Sequence, residues 1–396
     1  MQQRSVVIVG ARRTPMGRFQ GAFADLPAVD LGVAAARAAL DAAGVAPDAV
    51  EETVAGHGRQ AGNGPNPARQ VSVRAGVPET VPAYTVNKAC GSSTKALALA
   101  AGSIILGELD VALVVGMENM TRTPYLLRGM RRGYRMGGAA AEDGMSADGF
   151  MDPLSGEAMG ETAENLAERY AVTREEQDAL ALQSQRRAVA AWEAGRFATE
   201  VVPVEAVDAR GWPVTVARDE QPRPDTSLEG LAQLKPVFRT PGTVTAGNSS
   251  GICDGAAALV VMAEEVAAAR GVRPLARVVG WASAGVDPHI MGWGVVPATR
   301  KLLGRLGWSL PEIDVVEVNE AFAAQVLACD RELKFDWDRT NVNGGAIALG
   351  HPIGMTGARI VGAVVAELER QQARRGLATL CISGGQGMAV ALERVT

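Results

Sequence analysis

Residues 85–116, TVNKACGSSTKALALAAGSIILGELDVALVVG, decide how the rest of the chain is read. An extended start passes through Cys90 and Gly91 into a run of small and apolar residues that reads as a helix over 92–106. DVALVVG (110–116) then reads as a buried strand. Working outward, SVVIVG (5–10) is another buried strand closing on Gly10. DLGVAAARAALDAAG (30–44) is a helix with Asp30 as its N-cap and Gly44 just past its end. Strand and helix in alternation imply an α/β protein with a mostly parallel sheet.

Composition shifts between about Thr121 and Asn248. RGMRRGYRMGGAAAEDG (128–144) has no clean period and reads as an excursion from the core. Residues 160–197 give two helices, the second opening at Thr173 with Glu176 three residues on, a capping box. A Pro-rich connection, DEQPRPDTSLEG (219–230), follows. From Thr243 the α/β pattern resumes through AALVVMA (257–263), LARVVGWASAG (275–285), IDVVEVNEAFA (313–323), a helix near 356–370 and ATLCISGGQGMAVALE (378–393). The expected organisation is an α/β half over 1–120 with a return segment near 243–270, a mainly helical loop domain over 121–248, and a second α/β half over 271–396.

The 396 residues are 47% hydrophobic and 21% charged, the balance of a folded globular protein and not of a disordered one. A formal net charge of −5 gives no global attraction for nucleic acid or an anionic membrane. The uncharged start of the chain, Val6 to Ala11, is too short for a signal-peptide core, no stretch approaches a membrane span, and LERVT is no peroxisomal address. The four cysteines lack CxxC spacing, so reduced thiols in a cytoplasm are expected, with no disulfide framework. His57, His289 and His351 stand at no zinc-ligand spacing with them.

Cys90 stands before a helix start, where free N–H groups and a partial positive charge lower a thiol pKa and favour the thiolate. No Asp or Glu lies between Glu79 and Glu108 to oppose it. The bland reading is a buried structural cysteine. His351 lies among glycines at 344, 345, 350, 354 and 357, crowding that points to a ligand or a second loop, and histidine is the natural base for a thiol. The bland alternative is a histidine held in a Gly-rich turn, but of the three histidines this one is the best placed for catalysis. Cys381 ends an apolar strand before a Ser-Gly-Gly turn and is a workable acid/base. Asn319, at the end of IDVVEV, is placed to hold a water or an oxyanion, or else to cap a helix. GNSSG (247–251) fits a nucleophile elbow after a strand-like TVTA, which leaves a serine hydrolase with Ser249 and His351 formally open.

Taken together, RTPMGRFQGAF, QAGNGPNPARQ, VNKACGSSTKAL, VVGMENMT, MGETAENLAERY, GTVTAGNSSGICDGAAA, NEAFAAQ, NGGAIALGHPIGMTGAR and CISGGQG resemble the thiolase family, in that family's order, from Arg12 to the C-terminus. The resemblance implies a thiolase-like fold: two similar α/β halves with mixed sheets and an inserted loop domain. It implies that Cys90 is acylated by acyl-CoA, that His351 activates it, and that Cys381 exchanges the α-proton of the second acetyl-CoA. One oxyanion would be held by His351 and a water on Asn319, the other by the backbone N–H groups of Cys90 and Ser383. Ser250, Arg223 and Ala246 match positions that contact CoA, and Met291 lines the acyl pocket. The implied activity is acetyl-CoA C-acetyltransfer in acyl-CoA and fatty acid metabolism, the alternative being a degradative 3-ketoacyl-CoA thiolase. Acetyl-CoA and 3-oxoacyl-CoA are the implied partners, coenzyme A acts as substrate, and no metal or redox cofactor is required. A dimer or tetramer is implied, with Arg128, Arg131, Arg132 and Arg135 in the stretch resembling a tetramerisation loop. Two positions depart from the family pattern: Ser383 replaces a glycine, and Ala158 replaces a histidine found in many acetoacetyl-type members.

Overall fold

The computed structural model describes residues 4–207 and 210–395. In chain order the core elements are β1 (Val6–Arg13), α1 (Ala28–Ala43), β2 (Glu52–Gly56), α2 (Pro67–Arg74), β3 (Ala83–Val86), α3 (Ser92–Leu106) and β4 (Val111–Asn119). Two helices of the insertion follow, α4 (Met159–Arg169) and α5 (Arg174–Glu193). The chain then returns with β5 (Cys253–Ala263), β6 (Ala276–Gly285), α6 (Val295–Leu306), β7 (Val315–Val318), α7 (Ala323–Leu333), α8 (Thr356–Gln371), β8 (Arg375–Ile382) and β9 (Gln386–Arg394).

The strands run β3-β2-β4-β5-β1 in the first half and β6-β9-β8-β7 in the second, joined where Val7 and Ile8 pair with Arg277 and Ala276. Among the strands of the described residues, β2–β3, β2–β4 and β7–β8 pair in parallel, and β1, β5, β6 and β9 all pair antiparallel. The mostly parallel sheet expected from alternation is therefore corrected to a mixed one. An apolar run such as AALVVMA declares a buried strand but not its direction, and here it comes back beside β4 after the long insertion.

α3 and α8 form the middle layer, packed on each other and on the inner faces of both halves through Leu97, Ile104, Ile360, Val361 and Val364. α1 and α2 cover the outer face of the first half, and α6 and α7 that of the second. Packing between the two halves buries most of α3, which explains its run of Ala, Leu and Ile; its last residue, Leu106, is exposed. The segment Ala89–Leu106 even has the length and composition of a membrane span. That corrects the expectation that no stretch came near, although here the helix lies inside the protein core.

Small residues set the depth at which α3 starts. A Cβ on Gly56 of β2 would lie 2.2 Å from the Ser93 nitrogen, and one on Gly357 of α8 would lie 2.1 Å from Thr94 Oγ1. Strand and helix thus clamp the first turn of α3 and fix the turn that leads into it, which carries Cys90 just before the N-cap Gly91, between the two halves. At the other ends, Gly44 caps α1 in the left-handed region and the Thr173–Glu176 capping box opens α5 as read. Asp30 falls in the first turn of α1, whose N-cap is Pro27.

The insertion lays the start of α4 and its connecting segments over Cys90, while α5 packs on α7. Its 127–136 arm stands away from the body, with Leu127, Met130, Tyr134 and Met136 exposed alongside Arg128, Arg131, Arg132 and Arg135.

Candidate active site

One cavity of about 620 Å³ opens between the insertion and the ends of α3 and β8. Cys90, His351, Cys381, Ser250, Arg223, Ala246 and Met291 all line it, together with Ala158 and Ser383. Met159, Phe238, Phe322 and Ile353 give it an apolar interior. Arg223 also borders an adjoining recess of about 220 Å³ with Asp225, Thr226 and Ser227. Asn319 does not line the cavity. It is fully buried after β7, its N–H donating to Thr379 O at 3.0 Å, and neither end of its side-chain amide has a protein partner. The α7 N-cap is Phe322, so the capping reading of Asn319 falls away.

Cys90 follows Ala89, whose φ of +45° is a conformation that costs a non-glycine residue about 1–3 kcal/mol. The turn from β3 into α3 accepts that strain and points the sulfur into the cavity. Against the sequence expectation, the thiol pKa is raised: burial outweighs the lowering by the Ser383 N–H, by Arg59 and by the N–H of Cys90 itself. A helix terminus alone therefore leaves Cys90 protonated, and a base is needed. The two backbone donors at Sγ are also the pair expected to hold an oxyanion. Ser383 is not among the residues with positive φ, so replacing glycine there leaves its N–H in place.

His351, on the same cavity, is held in a form that can accept a proton. Its Nδ1 lies 2.6 Å from Thr356 Oγ1, while the Thr356 hydroxyl donates to Pro352 O at 2.9 Å. With its proton committed to that carbonyl, Oγ1 accepts from Nδ1–H, which leaves Nε2 with a free lone pair. Burial first, then Arg359 and Arg59, push the imidazole pKa down to about 3 against the opposing pull of Glu118, so it rests neutral. We expect Thr356→Val to slow Cys90 acylation on the order of 10- to 100-fold by releasing the tautomer, while acyl-CoA KM changes little. Single-turnover acylation measured beside steady-state KM checks this, and an unchanged acylation rate would refute it.

Cys381, at 1% exposure, has its pKa well above the ordinary thiol value because of burial and then the nearby Cys90 and Cys329. All four cysteines are free. Ser249 also faces the cavity, but its Oγ donates to Thr245 O at 2.7 Å, and 243–246 is not a strand. GNSSG instead runs beside the NEAF turn, with Ser250 N–H donating to Ala321 O at 3.0 Å, so the elbow required for a serine hydrolase is absent from this segment.

Three participants escaped sequence reasoning. Thr356 is one. Arg59 is another: buried on the cavity wall, it donates from Nη1 to Asp148 O at 2.7 Å and stacks over Phe150, while its Nε and Nη2 have no partner. The third is Glu118, buried where both halves meet. The five-residue step from His351 to Thr356 was the one signal available. His289, by contrast, is an exposed residue paired with Glu157.

A mixed five-layer α/β body, holding two cysteines and one histidine in a covered cavity, is the architecture of an acyl-transfer enzyme that works through a thioester. The chain belongs to the thiolase family: the model of the thiolase N-terminal domain matches residues 6–265, and that of the thiolase C-terminal domain matches 272–394. It is 52% identical over 391 residues to an acetyl-CoA acetyltransferase of Pseudomonas aeruginosa, covering 99% of this chain and 100% of that one. Among solved structures it superposes on the Bacillus anthracis acetyl-CoA acetyltransferase with a TM-score of 0.97 at 45% identity, covering 99% of each chain. It also superposes on human mitochondrial 3-ketoacyl-CoA thiolase in complex with CoA, with a TM-score of 0.95 at 42% identity, covering 99% of this chain and 98% of that one.

Proposed function

We propose that the protein is an acetyl-CoA C-acetyltransferase, joining two acetyl-CoA into acetoacetyl-CoA and CoA and running the reverse thiolysis. The observation that carries this reading is the meeting of Cys90, Cys381 and a neutral His351 in one apolar cavity. A Claisen condensation needs one acyl group stored covalently and a base for the other, with charge stabilised on two oxygens in turn.

In this reading His351 Nε2 takes the Cys90 proton and Sγ attacks the thioester carbonyl. The Cys90 and Ser383 N–H groups hold the oxyanion, and the departing CoA thiolate takes the proton of Cys381. Cys381 is then a thiolate, no longer opposed by a charge on Cys90, and it removes the α-proton of the second acetyl-CoA. Protonated His351 and a water held by the unpartnered Asn319 amide support the resulting enolate. The enolate carbon attacks acetyl-Cys90, the Cys90 thiolate leaves and regains its proton from His351, and Cys381 keeps the α-proton. Every proton is returned without a metal or redox cofactor. Ser250, Ala246 and Arg223 take the pantetheine arm and nucleotide of CoA, and Met291 bounds the acyl group. The exposed arm with Arg128, Arg131, Arg132 and Arg135 supports a homotetramer over a dimer, and four free thiols suit a reducing cytoplasm.

Met159 and Met291 restrict the acyl end, whereas Ala158 leaves room beside it. Each extra methylene accepted in an apolar pocket changes specificity by at most about 1–3 kcal/mol, so enlargement broadens the range without reversing it. Acetoacetyl-CoA is expected to be a good substrate and 3-oxohexanoyl-CoA to be tolerated. Thiolysis kcat/KM for acetoacetyl-, 3-oxohexanoyl- and 3-oxododecanoyl-CoA decides this. A tenfold or greater preference for the longest substrate would make the enzyme a degradative 3-ketoacyl-CoA thiolase.

A further inference from the structure

Glu118, the last-but-one residue of β4, is fully buried and makes its contacts to residues far from it in sequence. Its Oε2 accepts from Gly58 N at 2.9 Å and from Gly354 N at 2.8 Å, and its Oε1 accepts from Arg59 N at 2.9 Å. His57 Nε2 lies 3.1 Å from Oε1 as a close polar neighbour. Gly58 and Arg59 belong to the turn after β2 that forms the Arg59 wall of the cavity. Gly354 lies three residues after His351, in the HPIG turn contributed by the other half of the molecule.

We propose that Glu118 is a positioning residue for the acyl transfer read above, a single carboxylate that fastens the His351 turn of the second half to the Arg59 turn of the first around Cys90. Three backbone N–H groups from two turns converge on it, a task only an acceptor-rich side chain performs. The surroundings are shaped for that approach. A Cβ on Gly58 would come within 2.8 Å of Glu118 Oε2, and one on Gly354 within 3.0 Å of the same oxygen and 2.3 Å of Met117 O. Burial pushes the carboxyl pKa up, but His57 and the Arg59 N–H more than offset this, so the group stays ionised at neutral pH and keeps all its acceptor sites. Because Gly354 and Thr356 flank the same short turn, Glu118 fixes where the imidazole sits while Thr356 fixes which nitrogen is free. Glu118 touches neither substrate nor sulfur in this arrangement and acts only through His351 and Arg59.

Glu118→Gln tests this at nearly constant volume. Whichever way the amide lies, its NH2 group faces at least one of the three backbone N–H groups, so the joint between the turns is loosened. Displacing a general base by about 1 Å can cost on the order of 100-fold in rate, so kcat should fall 10- to 100-fold at nearly constant KM. Cys90 alkylation by iodoacetamide, which needs no acyl-CoA, should slow in parallel and follow simple thiol ionisation with rising pH. Glu118→Leu, with no acceptor, should be slower still. If it fails to fold, Glu118→Gln decides alone. A Glu118→Gln protein with wild-type kcat and alkylation rate would overturn the proposal. So would activity lost only in proportion to the folded fraction measured by circular dichroism, which would mark a purely structural role. Failure of acetyl-CoA to acylate the wild-type protein would instead sink the thiolase reading and leave the alkylation result interpretable.

Discussion

Cys90→Ala is expected to abolish condensation and thiolysis, lowering kcat by about 10⁴-fold or more, because the atom that carries the acyl group is gone. The cavity cannot offer a substitute. Cys253 and Cys329 are fully buried, with thiol pKa values pushed up by burial, to about 12 for Cys329. Cys381 lies close but is assigned to proton transfer. Removing one sulfur from the half-exposed turn before α3 leaves the packing of Gly56 and Gly357 against that helix intact, so the variant should fold. Steady-state assays in both directions, with thermal melting as the control for folding, check the expectation. Residual turnover within tenfold of wild type would mean that another group carries the acyl unit.

Cys381→Ala should separate the two half-reactions. The α-proton is untouched while Cys90 attacks the first thioester, so the variant should still acquire an acetyl group from acetyl-CoA. Its acylation should be slower, since the departing thiolate loses its nearest proton donor. Condensation should fall by about 10²- to 10⁴-fold, the range of a lost general base. Burial first, with Cys90 and Cys329 adding to it, keeps Cys381 protonated at rest, so in the proposed mechanism the base is made in place when the departing CoA thiolate takes its proton. Loss of Cys90 acetylation together with condensation, in a folded variant, would show that Cys381 is not the α-proton base.

Much of this was legible in the sequence because the decisive residues sit in short, locally coded turns. VNKACGSS placed Cys90 just before α3, and CISGGQG placed Cys381 at the end of β8, before the turn into β9. What was not legible lies in long-range pairing. The direction of β5 depends on a return across the insertion, and no pattern of apolar residues encodes it. Glu118 reads as one polar residue at the end of a strand, yet its partners lie 60 and 236 positions away. Arg59 became part of the cavity only because the 148–150 segment folds over it. The protonation state of Cys90 differs from the sequence expectation for a related reason: the sequence shows the helix terminus but not the burial that outweighs it.

The most direct test of the central claim is peptide mapping by mass spectrometry of the wild-type protein after brief incubation with acetyl-CoA. The mechanism predicts a single added acetyl group, located on Cys90 and lost on addition of free CoA. An acetyl group found on Ser249, on Cys253 or on Cys329, or a protein that turns over acetoacetyl-CoA without ever carrying the acyl group, would contradict it.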